Sequence, residues 1–196
     1  NTYNNQYIDN SKSYNRHQTF AQSFNNSNNG CFHESSIVLM DNNNTKLIKD
    51  ISKGDYVIGK NNCKSKVVCV IKYKCCNNKN DMVKINDNLI ITPYHPILHN
   101  NNWVFPMSLE KITEYDCEYV YNLVLDANHT ISINSIICVT LGHNISDNFV
   151  VSHNYFGTKK VINDLEKFET YKDGVIVLYK NNFVRCLSTN RVINIH

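Results

Sequence analysis

Residues 30–59 read GCFHESSIVLMDNNNTKLIKDISKGDYVIG, and the fold turns on how this stretch begins and how it continues. It begins where a polar segment stops, at a cysteine, Cys31, joined through its own amide to Gly30. It continues as short runs rich in Val and Ile, Ile37 to Met40 and Tyr56 to Ile58, separated by Asn, Asp and Gly. That is the pattern of half-buried strands joined by tight turns. Further strands are expected at Val67 to Tyr73, Met82 to Ile85, Leu89 to Thr92, Pro96 to Leu98, Tyr119 to Leu125, Thr130 to Ile133 and Ile136 to Val139. Pro106 to Ile112 reads as a short helical turn. Short strands at this spacing predict an all-β domain.

The flanks differ from this core. Residues 1–30 are rich in Asn, Ser, Gln and Tyr, with isolated apolar residues and no sustained period, the composition of a disordered linker. The core is read as residues 31–142. Residues 143–196 then form an extension in which Val161, Ile162, Leu165 and Phe168 share one helical face, opposite Lys159, Lys160, Asp164, Glu166 and Lys167. An amphipathic helix docked on the β core explains that face. Strands are expected after it at Val175 to Tyr179, Phe183 to Leu187 and Arg191 to Ile195.

Composition excludes several classes of function. A chain of 196 residues has room for one medium domain with a real core. The formal net charge of +3, with scattered lysines, argues against a nucleic-acid partner or an anionic membrane surface. No apolar run approaches the roughly 18 residues of a membrane span, and the polar start is no signal peptide. The 8 cysteines form neither a CxxC pair nor a zinc spacing, so buried free thiols are expected and no metal or other cofactor. Compartment is left open, with a slight lean to the cytoplasm, and a monomer is expected. Asparagine is over-represented, and its runs at Asn42 to Asn44 and Asn100 to Asn102 sit where turns belong.

Chemistry gathers at the Gly30 to Cys31 bond. The Cys31 thiol can reach the Gly30 carbonyl through a five-membered ring without a bimolecular encounter, and Gly30 has no Cβ to obstruct it. An N-to-S acyl shift needs a stabilised oxyanion and a protonated leaving amine. Thr92 and His95, in the string ITPYHPIL, are positioned by a strand and a proline turn to supply both. His95 is assigned to protonation of the Cys31 nitrogen and Thr92 to hydrogen bonding near the Gly30 carbonyl. The chain is therefore read as acting on itself in cis.

Taken in order, these motifs resemble a known superfamily. The string from Cys31 to Gly59, with Phe32, Ser36, Ile48, Ile51, Gly54, Asp55 and Val57 as anchors, resembles the opening of the Hint domains shared by hedgehog proteins and inteins. TPYHPIL resembles their second motif. VYNLVLDANHTISIN resembles a late motif, with His129 as its histidine. VTLGH followed by NYFGTKKVINDLEKF is similar to the Vint subgroup, whose Hint domains follow von Willebrand A modules. The resemblance implies a horseshoe of short strands, autoprocessing at Cys31, and an upstream partner segment in the same polypeptide, a von Willebrand A module among the candidates. It implies a thioester resolved by water, a small molecule or an amine. His129 stands open between a catalytic role and that of a core histidine satisfying strand carbonyls. Inteins end in a His-Asn pair, but Val139 and Thr140 fall at those positions, and this implies cleavage without splicing. Thr140 stands where the hedgehog branch has Cys, and Asn122 where inteins often have Asp. The alternative from another class is a Hint fold that has lost cleavage and serves as an interaction module.

Overall fold

The computed structural model describes residues 30–188 and 190–196. The segment read as a linker, Gly30 apart, lies outside the described residues.

Among the described residues, sixteen strands run in chain order: β1 (Phe32–His33), β2 (Ile37–Leu39), β3 (Thr45–Leu47), β4 (Tyr56–Ile58), β5 (Lys64–Lys74), β6 (Lys79–Asn86), β7 (Leu89–Ile91), β8 (Ile97–His99), β9 (Asn102–Val104), β10 (Ile112–Asp116), β11 (Tyr119–Leu125), β12 (Thr130–Ile133), β13 (Ile136–Val139), β14 (Val175–Leu178), β15 (Phe183–Arg185) and β16 (Val192–Ile195). One α-helix among the described residues, α1 (Lys159–Leu165), lies between β13 and β14. The main sheet has the order β10-β6-β7-β1-β11-β5-β14, with β4 added on β5. A second sheet has the order β12-β13-β8-β9. The all-β expectation holds.

Turn chemistry explains much of this connectivity. Asn100 and Asn101 both take positive φ between β8 and β9, as do Asn134 and Ser135 between β12 and β13. With His99 opposite Asn102 and Ile133 opposite Ile136, these are two-residue hairpin loops that need left-handed backbone, which Asn tolerates better than most residues.

The backbone of the fold is β5, the longest strand, antiparallel to β4 and β11 and parallel to β14. Its centre is buried on both faces, and it divides the interior into two apolar clusters, with Val67 and Val70 in one and Cys69, Ile71 and Tyr73 in the other. One contains Phe32, Val38, Ile48, Val67, Leu89, Ile91, Leu123 and Ile131. The other contains Cys31, Cys69, Ile71, Tyr73, Cys75, Leu141, Tyr155, Leu165, Ile176 and Ile195. Neighbouring residues of an extended chain point to opposite faces, so Phe32 enters the first cluster and Cys31 the second. Tyr155, Leu165, Ile176 and Ile195, all beyond residue 142, thus share the second cluster with Cys31.

Three differences from the sequence reading have physical causes. The helical turn expected over Pro106 to Ile112 is a 3-10 turn of Pro106–Ser108 only, because Ile112 opens β10, which pairs with β6 along its whole length. That strand is mostly exposed, so it carries no alternating pattern to read. The helix keeps Val161 and Leu165 buried but ends at Leu165. Phe168 lies past its end and still packs on the second cluster.

Candidate functional site

A two-residue strand assembles the site. β1 slides between β7 and β11, antiparallel to both, with Phe32 opposite Ile91 on one side and Tyr121 on the other. Stepping back one residue along an antiparallel register brings Cys31 level with Thr92 and with Asn122. The hydrogen bonds agree. The Cys31 N–H donates to Thr92 Oγ1 at 2.9 Å, and the Thr92 N–H donates to the Cys31 carbonyl at 2.9 Å. On the other flank, Asn122 Nδ2 donates to the Gly30 carbonyl oxygen. Asn122 Oδ1 is fixed in turn by the Leu123 N–H at 2.7 Å, which orients the amide so that Nδ2 faces Gly30.

The peptide bond between Gly30 and Cys31 therefore carries one side-chain acceptor on its nitrogen and one side-chain donor on its oxygen. The sequence reading sets Thr92 beside the carbonyl. In the structure Thr92 takes the nitrogen side and Asn122 the oxygen side.

His95 completes the group. It is 1% exposed and stacks at a tilt on Phe32, with ring centroids 4.4 Å apart. Its Nε2 lies 2.8 Å from the Val139 carbonyl. A carbonyl only accepts, so Nε2 carries the proton and Nδ1 holds the lone pair. That Nδ1 is buried and has no hydrogen-bond partner. It faces Gly30 so closely that a Cβ built there would lie 2.9 Å from it and 2.8 Å from His95 Cγ. A side chain at position 30 would push the imidazole aside. Burial lowers the His95 pKa to about 4, with the Val139 carbonyl acting the other way, so the ring is neutral at pH 7. Burial likewise pushes the Cys31 thiol well above the ordinary thiol range, and it is protonated at pH 7.

A small pocket opens beside the bond, lined by Gly30, His95, Asn122, Thr140, His143 and His153 among others. Thr140 is 2% exposed. Its N–H donates to the His129 carbonyl at 2.8 Å, and its Oγ1 is buried without a partner. His143 and His153 reach the pocket through local pairing of two loop segments, where the Gly142 N–H donates to the Phe156 carbonyl at 2.8 Å and the Asn144 N–H to the Gly157 carbonyl at 2.7 Å. A Cβ on Gly157 would lie 2.9 Å from His143 Cε1, so this approach requires glycine. His143 Nδ1 accepts the Ile145 N–H at 3.1 Å. His153 Nδ1 accepts the N–H groups of Tyr155 and Phe156 at 3.1 and 3.0 Å. A ring nitrogen that accepts from the backbone is unprotonated, so each neutral ring carries its proton on Nε2. Burial lowers the His143 pKa to about 4 and the His153 pKa to about 3.

Cys31, Thr92 and His95 are thus brought together at Gly30, and Thr140 joins them across the pocket. His129 does not line that pocket. Its φ is positive at 43°, its Nδ1 is buried without a partner, and burial lowers its pKa. The sequence reading assigns no role to Asn122 or His153 and takes His143 as structural or solvent-facing. For Asn122 the sequence carries a partial signal, since its place in the strand Tyr119 to Leu125 is legible and its partner on β1 is not. Among the described residues, no group of three or more His, Cys, Asp or Glu is arranged to hold a metal ion, and no helix is long and apolar enough to cross a membrane.

Comparison with known proteins adds the following. The family described as Vint, Hint-domain, matches residues 30–194. Among solved structures, an intein-like domain from Clostridium thermocellum is 16% identical, with 58% of this chain and 99% of that one covered and a TM-score of 0.46. A DnaB intein from Synechocystis is 18% identical, with 57% and 99% covered and a TM-score of 0.44. The gp41-1 intein gives the same four values, 18%, 57%, 99% and 0.44. No curated protein sequence matches the chain significantly.

Proposed function

The chain belongs to the Vint family of Hint domains, and on that premise we propose that it cleaves its own backbone between Gly30 and Cys31 through a thioester, without splicing. One observation carries this reading: the same peptide bond has Thr92 Oγ1 on its nitrogen, Asn122 Nδ2 on its carbonyl oxygen and the open Nδ1 of His95 against Gly30.

The chemistry follows from those three contacts. The thiol is neutral, so it must lose its proton as it attacks, and neutral His95 Nδ1 is the base in the right protonation state. Cys31 Sγ adds to the Gly30 carbonyl carbon, and the negative charge that grows on the oxygen is met by Asn122 Nδ2, already in place before the reaction begins. His95 then returns the proton to the departing Cys31 nitrogen as the carbon–nitrogen bond breaks. Thr92 Oγ1, accepting from that nitrogen's hydrogen, holds it in line. The products are a Gly30 thioester on Cys31 and a free Cys31 amine. The segment ending at Gly30 is the partner on which the domain acts, and a von Willebrand A module upstream of it is the candidate that the family suggests.

Hydroxylamine tests the thioester. Added to the folded chain, it is expected to speed release of a fragment ending in Gly30 hydroxamate, read by intact mass, and the Cys31→Ala variant is expected to release none. A release rate that ignores hydroxylamine, or a Gly30 fragment from Cys31→Ala, would sink the proposal. Splicing is tested separately by fusing a folded reporter after His196. A ligated product joining the segment before Cys31 to that reporter would contradict this reading.

A further inference from the structure

We propose that Thr140 and His143 hold the water molecule that resolves the thioester, which makes the pocket beside Gly30 a hydrolytic site. This inference rests on the thioester reading above and assigns its second step.

A buried hydroxyl without a partner costs roughly 1–3 kcal/mol, and native proteins keep few of them unless a water or a ligand serves them. Thr140 Oγ1 is such a group, and Thr140 lines the pocket that also borders Gly30 and Asn122. The pocket has a volume of about 30 Å³, room for one water. His143, locked with its proton on Nε2 by the Ile145 N–H, lines the same pocket and offers a donor to a water oxygen. The Thr140 hydroxyl accepts from that water. Together they supply two of the partners that an ordered water needs.

The second step then balances without any further reagent. Once the acyl group sits on sulfur, the water oxygen bonds to the Gly30 carbonyl carbon, with Asn122 Nδ2 again donating to the oxyanion. His95 Nδ1 takes the water's proton. The carbon–sulfur bond breaks, the thiolate leaves, and the proton passes from His95 to Cys31 Sγ. Gly30 ends as a carboxylic acid and Cys31 as a free N-terminal cysteine. A water held in this way needs Thr140 and His143, whereas a dissolved thiol brings its own nucleophile and needs neither. The ratio of hydrolysis to thiol-driven release therefore reports on the site, and a general loss of folding would lower both together.

The experiment follows release of the fragment ending at Gly30 by intact mass, in buffer and in dithiothreitol, for the whole chain and for Thr140→Val, Thr140→Ser and His143→Phe. Thr140→Val keeps the shape and removes the hydroxyl. It is expected to lower the ratio of hydrolysis to thiol-driven release about tenfold. Thr140→Ser is expected to restore the ratio to within about threefold of the unmodified chain, and His143→Phe to lower it. An unchanged ratio in Thr140→Val, or a ratio in Thr140→Ser as low as in Thr140→Val, would overturn the inference while leaving the thioester standing. Absence of thiol-driven release from the unmodified chain would sink the thioester proposal and this inference with it.

Discussion

Two histidine-bearing loops meet at the pocket beside Gly30, and they use the imidazole in opposite ways. In the loop between β7 and β8, His95 donates from Nε2 to the Val139 carbonyl and leaves Nδ1 as an open lone pair. In the loop between β13 and α1, His143 and His153 accept backbone N–H groups at Nδ1. All three rings are neutral at pH 7 because burial lowers their pKa values. A backbone carbonyl thus leaves one ring with an open acceptor nitrogen, and backbone N–H groups leave the other two with a donor on Nε2. Neutrality alone does not decide which nitrogen of a histidine is open. The backbone group that fixes its other nitrogen does.

The largest expected effect tests that distinction on the first step. Under excess dithiothreitol, His95→Ala is expected to slow release by about a hundredfold or more, the usual size of a lost acid-base group. Equal losses for His95→Ala and His143→Ala would break the comparison. Asn122→Ala removes the carbonyl donor and is expected to slow the same step by about a hundredfold, with a rate near that of the unmodified chain as the contrary result.

Acid stability sharpens the comparison in equilibrium terms. An unfolded histidine titrates near 6.5, whereas folded His95 holds off its proton until about pH 4. Between these values the unfolded chain binds protons that the folded chain refuses, so the stabilisation is complete above pH 6.5 and is lost as pH falls toward 4. For His95 this amounts to about 3 kcal/mol at most, and His143 and His153 act in the same direction. Thermal melting is expected at a clearly lower temperature at pH 4 than at pH 7, and an unchanged melting point would contradict the burial of these rings.

A smaller effect is expected on the nitrogen side of the bond. Thr92→Val is expected to slow thiol-driven release by about tenfold, less than His95→Ala, because it removes an acceptor that aligns the nitrogen and leaves the base in place. A loss as large as that of His95→Ala would move the proton-transfer role toward Thr92.

What the sequence reveals of this site depends on how each residue is brought there. Tyr119 to Leu125 and Thr130 to Ile133 are legible as strands because buried Val, Ile and Leu dominate them, and their observed bounds are the same. Thr92 and His95 are legible because they sit close together after such a strand. β1 is not, since two residues cannot show a period, yet its register carries Asn122 to the Gly30 carbonyl across 92 positions of sequence. His143 and His153 are hidden for a related reason. Their approach depends on backbone pairing between irregular segments and on Gly157, which leaves no periodic trace. Asn runs, by contrast, announce their turns, because left-handed backbone is a local property.

The most direct test of cleavage at Cys31 is the mass of the purified chain incubated in neutral buffer, compared with that of the Cys31→Ala variant. The unmodified chain is expected to give a fragment running from Asn1 to Gly30 and a second beginning at Cys31, and the variant an intact 22.7 kDa chain, less the sulfur atom. An unmodified chain that stays whole even with added thiol, or a variant cut at the same bond, would contradict it.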